Sequence, residues 1–266
     1  MIARLPAGVE LAYDESGSGT ALLLVHGWPH DRTLWASQLN GLATHARCLA
    51  PDLRGFGGSS VAGPYSMEQY ADDLAALLDS LGLASAIVCG LSMGGYIALA
   101  MWRRHRTRVR ALILADTRAT ADLAAARESR ARLIGIAESQ GTATLASMQL
   151  DTMLGATTRA SRPELCESLR QMMAAAPVAG LVGAQRAMMA RTDSTALLAS
   201  IDVPTLIVGG IEDEITSVDE LRALAAAIPS SRLELIAMAG HVSPFERPAA
   251  FNHVVAEFLA DVEQRA

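Results

Sequence analysis

The sequence contains no lysine, and all 22 of its basic residues are arginine. This absence excludes Schiff-base chemistry and a phosphate-binding loop built on lysine, because both require a lysine amine. Cysteine is scarce as well. Cys48, Cys89 and Cys166 are odd in number and lack the spacing of a metal site or of a CxxC redox pair. We therefore expect a protein of the reducing cytoplasm that needs no metal and no cofactor.

Long apolar runs and an excess of positive charge are also missing. No stretch reaches the length of a transmembrane helix without a charge or a glycine, and the N-terminal MIARLPAGVELAY lacks the apolar core of a signal peptide. The net charge of -6 argues against nucleic acid as a partner, because neutralising phosphates requires a basic face. We expect a soluble monomer or homodimer that binds neither membranes nor nucleic acid.

Apolar runs are instead short and recur along the chain. Hydrophobic residues make up 51% and charged residues 19% of the 266 residues, which is typical of a globular enzyme. Residues 2–5 and 9–13 have the pattern of a hairpin, and six further runs follow: ALLLVHG, RCLAPD, AIVCG, ALILAD, TLIVGG and LELIAMAG. Amphipathic stretches such as SMEQYADDLAALLDSLGL separate several of them. The alternation predicts an α/β fold whose mostly parallel, eight-stranded sheet is covered by helices on both faces.

The alternation is interrupted once, after the sixth run. Residues 118–200 contain only helical patterns rich in Ala, Met, Arg and Leu, and the strand pattern resumes at Val203. We interpret this segment as a helical cap, or lid, inserted in a core made of residues 1–117 and 201–266.

VCGLSMGGY, residues 88–96, places Ser92 between two glycines, directly after an apolar run and before a helical pattern. This spacing is typical of the nucleophile elbow, a sharp strand-to-helix turn that holds a serine in a strained conformation. Gly90 and Gly94 would avoid side-chain clashes in such a turn. The helix that follows would point backbone N–H groups at charge developing on a substrate. Ser92 is therefore the candidate nucleophile, and the alternative is a glycine-rich turn that merely contains a serine.

A serine hydroxyl needs a base, and His241 is the candidate. It lies in MAGHVSPFERP, after the last strand run, where the carboxyl edge of a parallel sheet could bring an imidazole over the elbow. We expect His26, in VHGWP, to be structural. The remaining histidines are expected to be surface or packing residues: His30, His45, His105 and His253.

The base in turn needs an acid that holds its tautomer. LIVGGIEDEITS offers three carboxylates at the end of a strand, of which Asp213 is our assignment and Glu212 the fallback. Asp116, which ends the preceding strand in ILADT, is a second alternative. An oxyanion hole is the last requirement, and we assign it to the backbone N–H groups of Trp28, in VHGWP, and Met93.

The motifs together resemble the α/β-hydrolase family over nearly the whole chain. The resemblance rests on LLLVHGWPHD, APDLRGFGGSS, GLSMGGYIAL, VPTLIVGGIEDEIT and MAGHVSPFERPAAFNHVVAEFL, which are similar to the family's oxyanion loop, D-x-R-G-x-G-x-S turn, elbow, acid loop and histidine loop. ADTRATAD and GHVSPFERP look most like the branch of carboxylesterases and 3-oxoadipate enol-lactonases. Serine at position 92 departs from the aspartate of haloalkane dehalogenases and epoxide hydrolases. We expect Asp52 and Arg54 to form an ion pair that holds their loop.

The resemblance implies a serine hydrolase that cleaves small to medium carboxylic esters through Ser92, His241 and Asp213 and an acyl-enzyme. A lactonase, a carbon-carbon bond hydrolase and a perhydrolase are alternatives on the same fold. A ligand receptor that lacks turnover is the non-catalytic alternative.

The predicted cap also offers side chains for a substrate pocket. More than half of the chain's 11 methionines lie there, where flexible thioethers would suit varied acyl groups or would simply pack the cap helices: Met148, Met153, Met172, Met173, Met188 and Met189. An enol-lactone with a free carboxylate would favour an arginine near the site. The candidates, among which the sequence does not choose, include Arg127, Arg130, Arg132, Arg159 and Arg186.

Overall fold

One sheet organises the fold. A computed structural model describes residues 1–265, and within that range the sheet has eight strands in the order β1-β2-β4-β3-β5-β6-β7-β8. The strands are β1 Ile2–Arg4, β2 Glu10–Ser16, β3 Ala21–Val25, β4 Arg47–Pro51, β5 Ala86–Leu91, β6 Val109–Ala115, β7 Thr205–Gly210 and β8 Ser231–Ile236. β2 runs antiparallel to β1 and β4, and the pairs from β4 to β8 are parallel. Every residue of β3 and β5 is buried, as expected for the centre of a sheet covered on both faces.

Helices connect the parallel strands and cover the sheet. In chain order they are α1 Ala36–Gly41, α2 Met67–Ser80, α3 Met93–Arg104, α4 Ala124–Met153, α5 Ala156–Ser161, α6 Pro163–Ala175, α7 Val178–Ala190, α8 Val218–Ala227, α9 Ser243–Glu246 and α10 Pro248–Gln264. α2 shows why these sequences become helices. Ser66 caps its first turn by accepting a hydrogen bond from the Gln69 N–H at 2.9 Å, and apolar side chains at helical spacing, including Tyr70, Leu74 and Leu78, are buried against the core.

The segment between β6 and β7 is helical, and α4 to α7 lie in it. α4 is broken at Gly141, where φ is +81° and ψ is 172°. Only glycine adopts this conformation without strain, so Gly141 lets one long helical segment change direction. We keep the division into a core (residues 1–117 and 201–266) and a cap (residues 118–200) as a proposal, and use "cap" for the latter segment.

The predicted α/β architecture, with a mostly parallel sheet of eight strands covered by helices, is confirmed. None of the helices in residues 1–265 combines the length and apolar character needed to cross a membrane.

The predicted ion pair between Asp52 and Arg54 is wrong. The Asp52 carboxylate pairs with the Arg32 guanidinium and accepts hydrogen bonds from the N–H groups of Arg32 and Gly58, both at 2.7 Å. Arg54 forms a buried bidentate pair with Asp73 of α2, with Nε and Nη2 at 2.5 and 2.6 Å from the two carboxylate oxygens. Asp52 already accepts from three donors, and the two N–H groups of the Arg54 guanidinium match the two oxygens of the Asp73 carboxylate.

Candidate active site

Ser92 occupies the turn between β5 and α3. Its φ of 54° is rare for a residue with a side chain and marks a strained backbone. A Cβ atom at Gly90 would overlap the Gly94 carbonyl, and one at Gly94 would overlap the Val25 carbonyl of β3. Glycine is therefore required at both places, as the elbow motif predicts. The Ser92 N–H donates to the Ala115 carbonyl at 2.8 Å, which ties the turn to the end of β6.

A chain of hydrogen bonds joins three side chains from three loops at the carboxyl edge of the sheet. Ser92 Oγ lies 2.7 Å from His241 Nε2, and His241 Nδ1 lies 2.8 Å from Asp213 Oδ2. The Nδ1–H donates to the carboxylate, which leaves Nε2 as the acceptor for the serine hydroxyl. The other oxygen of Asp213 accepts from the N–H groups of Ile215 and Thr216 at 2.7 and 3.0 Å. The structure thus brings together the three side chains that the sequence selected.

The other two carboxylates of the acid loop, Glu212 and Glu214, interact with groups other than His241. Glu212 points to the cap, where it accepts from the Thr157 N–H at 2.8 Å and the Thr157 hydroxyl at 2.5 Å. These bonds lower the pKa of Glu212. Glu214 is exposed and lies 3.7 Å from Arg159.

Asp116 is buried beneath the site without touching His241. One carboxyl oxygen accepts from the Gly210 N–H at 2.8 Å, and the other lies 2.6 Å from the Ser243 hydroxyl. Burial, followed by the nearby charge of Asp213, raises the pKa of Asp116 well above its usual range. Its contacts connect the ends of β6 and β7 to the histidine loop. The position of Asp116 therefore suits a structural role, holding these segments together, rather than proton transfer.

Two backbone N–H groups near Ser92, those of Met93 and Trp28, have no hydrogen-bond partner among the described residues. Met93 is the first residue of α3, so its N–H has no acceptor inside the helix. The Trp28 N–H makes no hydrogen bond with any group in residues 1–265. Gly27, next to Trp28, packs against the elbow so closely that a Cβ atom there would lie 3.1 Å from the Ser92 Cβ. The Trp28 indole donates to the Leu181 carbonyl of α7 at 3.2 Å, so this residue also contacts the cap.

His26 is a structural residue, as predicted. Its Nε2 accepts from the Leu53 N–H at 3.0 Å and its Nδ1–H donates to the Gly27 carbonyl at 2.9 Å. Burial lowers its pKa, although the Gly27 hydrogen bond opposes the shift.

His30 is a buried packing residue, one of the two roles expected for it. It is 1% exposed, and neither ring nitrogen has a hydrogen-bond partner among the described residues. Burial, together with the charges of His26 and His241, holds its pKa well below the usual value. No local sequence signal distinguishes this buried histidine from an exposed one.

Glu246 is a second residue that sequence reasoning missed. It is fully buried, and its two carboxylate oxygens accept from the Gly155 N–H of the cap at 2.9 Å and the Gly240 N–H of the histidine loop at 2.7 Å. The backbone N–H of His241 also donates to the cap, to the Met153 carbonyl at 3.1 Å. The cap and the histidine loop are therefore joined directly at the site.

A cavity of about 340 Å³ opens above Ser92 and His241, between core and cap. The core contributes Trp28 and Tyr96, among others. Two of the six cap methionines, Met153 and Met188, line it. Among the five cap arginines considered, only Arg130 lies in the lining of this cavity within the described chain, while Arg159 and Arg186 pair with surface glutamates. Within residues 1–265, no three His, Cys, Asp or Glu side chains are grouped so as to hold a metal ion.

Comparisons with known proteins agree with this fold. A family model described as "alpha/beta hydrolase fold" matches residues 20–248. The 3-oxoadipate enol-lactonase 2 of Acinetobacter baylyi is 30% identical over 236 residues, which cover 88% of this chain and 86% of that protein.

Two solved structures superpose closely. A thermophilic esterase from Thermogutta terrifontis is 40% identical with a TM-score of 0.94, and the match covers 98% of both chains. The enol-lactonase from Burkholderia xenovorans is 30% identical with a TM-score of 0.91, covering 98% of this chain and 100% of that one. The family match spans most of the chain, and so this protein is a member of the α/β-hydrolase family.

Proposed function

We propose that this hydrolase cleaves carboxylic esters through an acyl-enzyme formed on Ser92. The observation that carries the proposal is the continuous chain of hydrogen bonds from Ser92 Oγ through His241 to Asp213, at 2.7 and 2.8 Å. Such a chain supplies what a serine nucleophile requires, a base within reach and an acid that fixes the tautomer of the base.

The reaction would proceed in two steps. His241 Nε2 takes the hydroxyl proton as Ser92 Oγ attacks the ester carbonyl, and the N–H groups of Trp28 and Met93 stabilise the oxyanion. The same nitrogen then returns the proton to the departing alcohol. Water, deprotonated by His241, attacks the acyl-enzyme, and His241 passes that proton to Ser92 Oγ as the acid leaves. Asp213 stabilises the imidazolium in both steps.

A lactone is the second candidate substrate, because two proteins named enol-lactonases are 30% identical to this chain. A lactone is a cyclic ester, so Ser92 would open it by the same two steps. The alcohol product then stays attached to the acyl group. We also propose a cytoplasmic location, which the three free cysteines, Cys48, Cys89 and Cys166, support.

Turnover of p-nitrophenyl esters of graded acyl length, with a γ-lactone in parallel, tests the proposal. Ser92→Ala is expected to lower kcat by roughly four orders of magnitude or more, because the acyl-enzyme cannot form. Ser147→Ala, on the exposed surface of α4, is the matched control and should keep wild-type turnover. Equal rates for wild type and Ser92→Ala would refute the serine mechanism. The ratio of lactone to ester turnover decides between the two substrate types.

A further inference from the structure

Tyr96 forms part of the cavity wall next to the nucleophile. It belongs to α3 and lies four positions after Ser92, so the two residues are on the same side of the first turn. Side chains in a helix lean toward its N-terminus, which directs the Tyr96 ring to the end that carries Ser92. Tyr96 accordingly lines the cavity of about 340 Å³ together with Ser92 and His241. The size of its side chain therefore limits the space near the reacting carbonyl.

One face of the Tyr96 ring is covered by Arg191. The guanidinium carbon lies 4.2 Å from the ring centroid, within the range of a cation-π contact. The Arg191 side chain is only 4% exposed, its Nη1 lies 2.7 Å from Asp122, and its Nη2 donates to the Thr120 carbonyl at 2.7 Å. Because these bonds hold the guanidinium in place, the ring that it covers is held as well.

The charged groups next to Arg191 balance one another. Asp122 pairs with Arg130, at 2.6 Å, as well as with Arg191. The charge of Arg191 also acts on Asp193. Two carboxylates thus accompany two guanidinium groups, and Arg191 serves to hold the ring rather than to attract a charged ligand. This side of the cavity therefore selects substrates by shape.

A second, much smaller pocket adjoins the same ring. Its volume is about 10 Å³, enough for about one water molecule. Tyr96 and Arg118 line both this pocket and the active-site cavity. Three further lining residues are apolar: Leu99 and Ala100 of α3 and Met67 of α2. Tyr96 thus lies between a cavity that can hold a substrate and a pocket that is too small for one.

From this arrangement we propose that Tyr96 determines the length of the substrate that the site accepts. Its ring, held by Arg191, ends the cavity on the side of α3, and a shorter side chain at position 96 would join the cavity to the small pocket. The inference rests on the proposed function and deepens it, because it names a residue that limits the size of the ester.

Two series of esters test the inference. p-Nitrophenyl esters with linear acyl groups of graded length vary the acyl side, and acetate esters of linear alcohols of graded length, followed by acid release, vary the alcohol side. Wild type should show an optimum of kcat/KM in each series. Tyr96→Ala should move the optimum of one series upward by about two to four carbons, because each CH2 that enters apolar space raises kcat/KM by about fourfold. The series that moves identifies the side of the ester that Tyr96 limits.

Graded variants separate the size of the ring from the loss of its hydroxyl. Tyr96→Phe keeps the ring and should keep the wild-type optimum, whereas Tyr96→Leu should move the optimum upward by less than Tyr96→Ala, and Tyr96→Trp should move it downward. Tyr65→Ala makes the same truncation at another half-buried tyrosine, outside the lining of the cavity, and should leave the optimum in place. Circular dichroism and urea unfolding show which variants are folded, so the comparison uses Tyr96→Leu and Tyr96→Trp where Tyr96→Ala is not.

Two failures can be told apart. Folded variants at position 96 that keep the wild-type optimum in both series, or a Tyr65→Ala variant that moves it as far as Tyr96→Ala does, would overturn this inference alone. Wild-type turnover no faster than that of Ser92→Ala on both series would overturn the proposed function, and this inference with it.

Discussion

The neighbouring carboxylates of Glu212 and Asp213, in the loop after β7, point in opposite directions. Asp213 turns inward to His241, whereas Glu212 turns outward to Thr157 of the cap. Their order along the chain does not reveal which one faces the imidazole, because shifting the loop by one residue would exchange the directions of the two side chains. The backbone decides: the N–H groups of Ile215 and Thr216 fix the Asp213 carboxylate in place.

Asp213→Asn is expected to lower kcat by roughly a thousandfold or more, somewhat less than Ser92→Ala does. The amide cannot stabilise an imidazolium, and its NH2 group favours the wrong tautomer of His241. Glu212→Gln is the matched change one residue away and should cost far less, since Glu212 bonds only the cap. Steady-state kinetics on one p-nitrophenyl ester compares the two variants. A silent Asp213→Asn beside an inactive Glu212→Gln would reverse the assignment of the acid.

At the scale of elements, hydrogen bonds connect the cap directly to the histidine loop. Glu246, in α9, accepts N–H groups from Gly155 and Gly240, and a Cβ atom at Gly240 would run into the backbone around Gly155. Burial raises the pKa of Glu246, and the hydrogen bonds from the Gly155 and Gly240 N–H groups oppose that shift. Because His241 directly follows Gly240, the position of the cap is coupled to the position of the base.

Glu246→Ala should therefore affect stability and rate together. It leaves two buried N–H groups without an acceptor, which should lower the free energy of unfolding by about 2 to 5 kcal/mol. The loosened loop should lower kcat by roughly tenfold or more. Glu246→Gln keeps one acceptor oxygen, so the decreases in the free energy of unfolding and in kcat should both be smaller. Urea unfolding and ester kinetics measure these effects.

Glu138→Ala, at an exposed glutamate of α4, provides the control and should change neither quantity appreciably. A Glu246→Ala variant with unchanged stability and unchanged kcat would mean that these contacts between the cap and the histidine loop do not position His241.

At the scale of the whole molecule, the parts that could be predicted are those with local signals. Apolar runs, amphipathic helices and the glycines at positions 90 and 94 gave the sheet, the helices and the elbow, because each depends on neighbours in the chain. The pairing of Arg54 with Asp73, the burial of His30 and the role of Glu246 depend on contacts between distant segments. Arg130 could be suggested as one of five arginines, and only the fold places it in the cavity.

The buried histidines should make the stability of the whole fold depend on pH. The pKa of His30 is lowered in the folded state, so below pH about 6.5 the unfolded chain binds a proton at this residue that the folded chain does not. The titration of His30 therefore costs the fold nothing well above that pH and destabilises it increasingly as the pH falls. The lowered pKa of His26 likewise reduces the stability of the fold as the pH falls. The raised pKa values of Asp116 and Glu246 reduce it as the pH rises. A difference between variants is therefore needed to isolate His30.

His30→Leu removes the titrating group and the two unpartnered nitrogens. Relative to this variant, the wild type should lose about 1 kcal/mol of unfolding free energy between pH 6.5 and 5.5, and about 1.4 kcal/mol per pH unit below that. Urea unfolding at pH 7.5, 6.5 and 5.5 measures the difference, in which the responses of Asp116 and Glu246 cancel. His45→Leu, at an exposed histidine, should follow the wild type at all three values. Parallel curves for wild type and His30→Leu would show instead that the folded protein binds a proton at His30, and that the ring has found an acceptor.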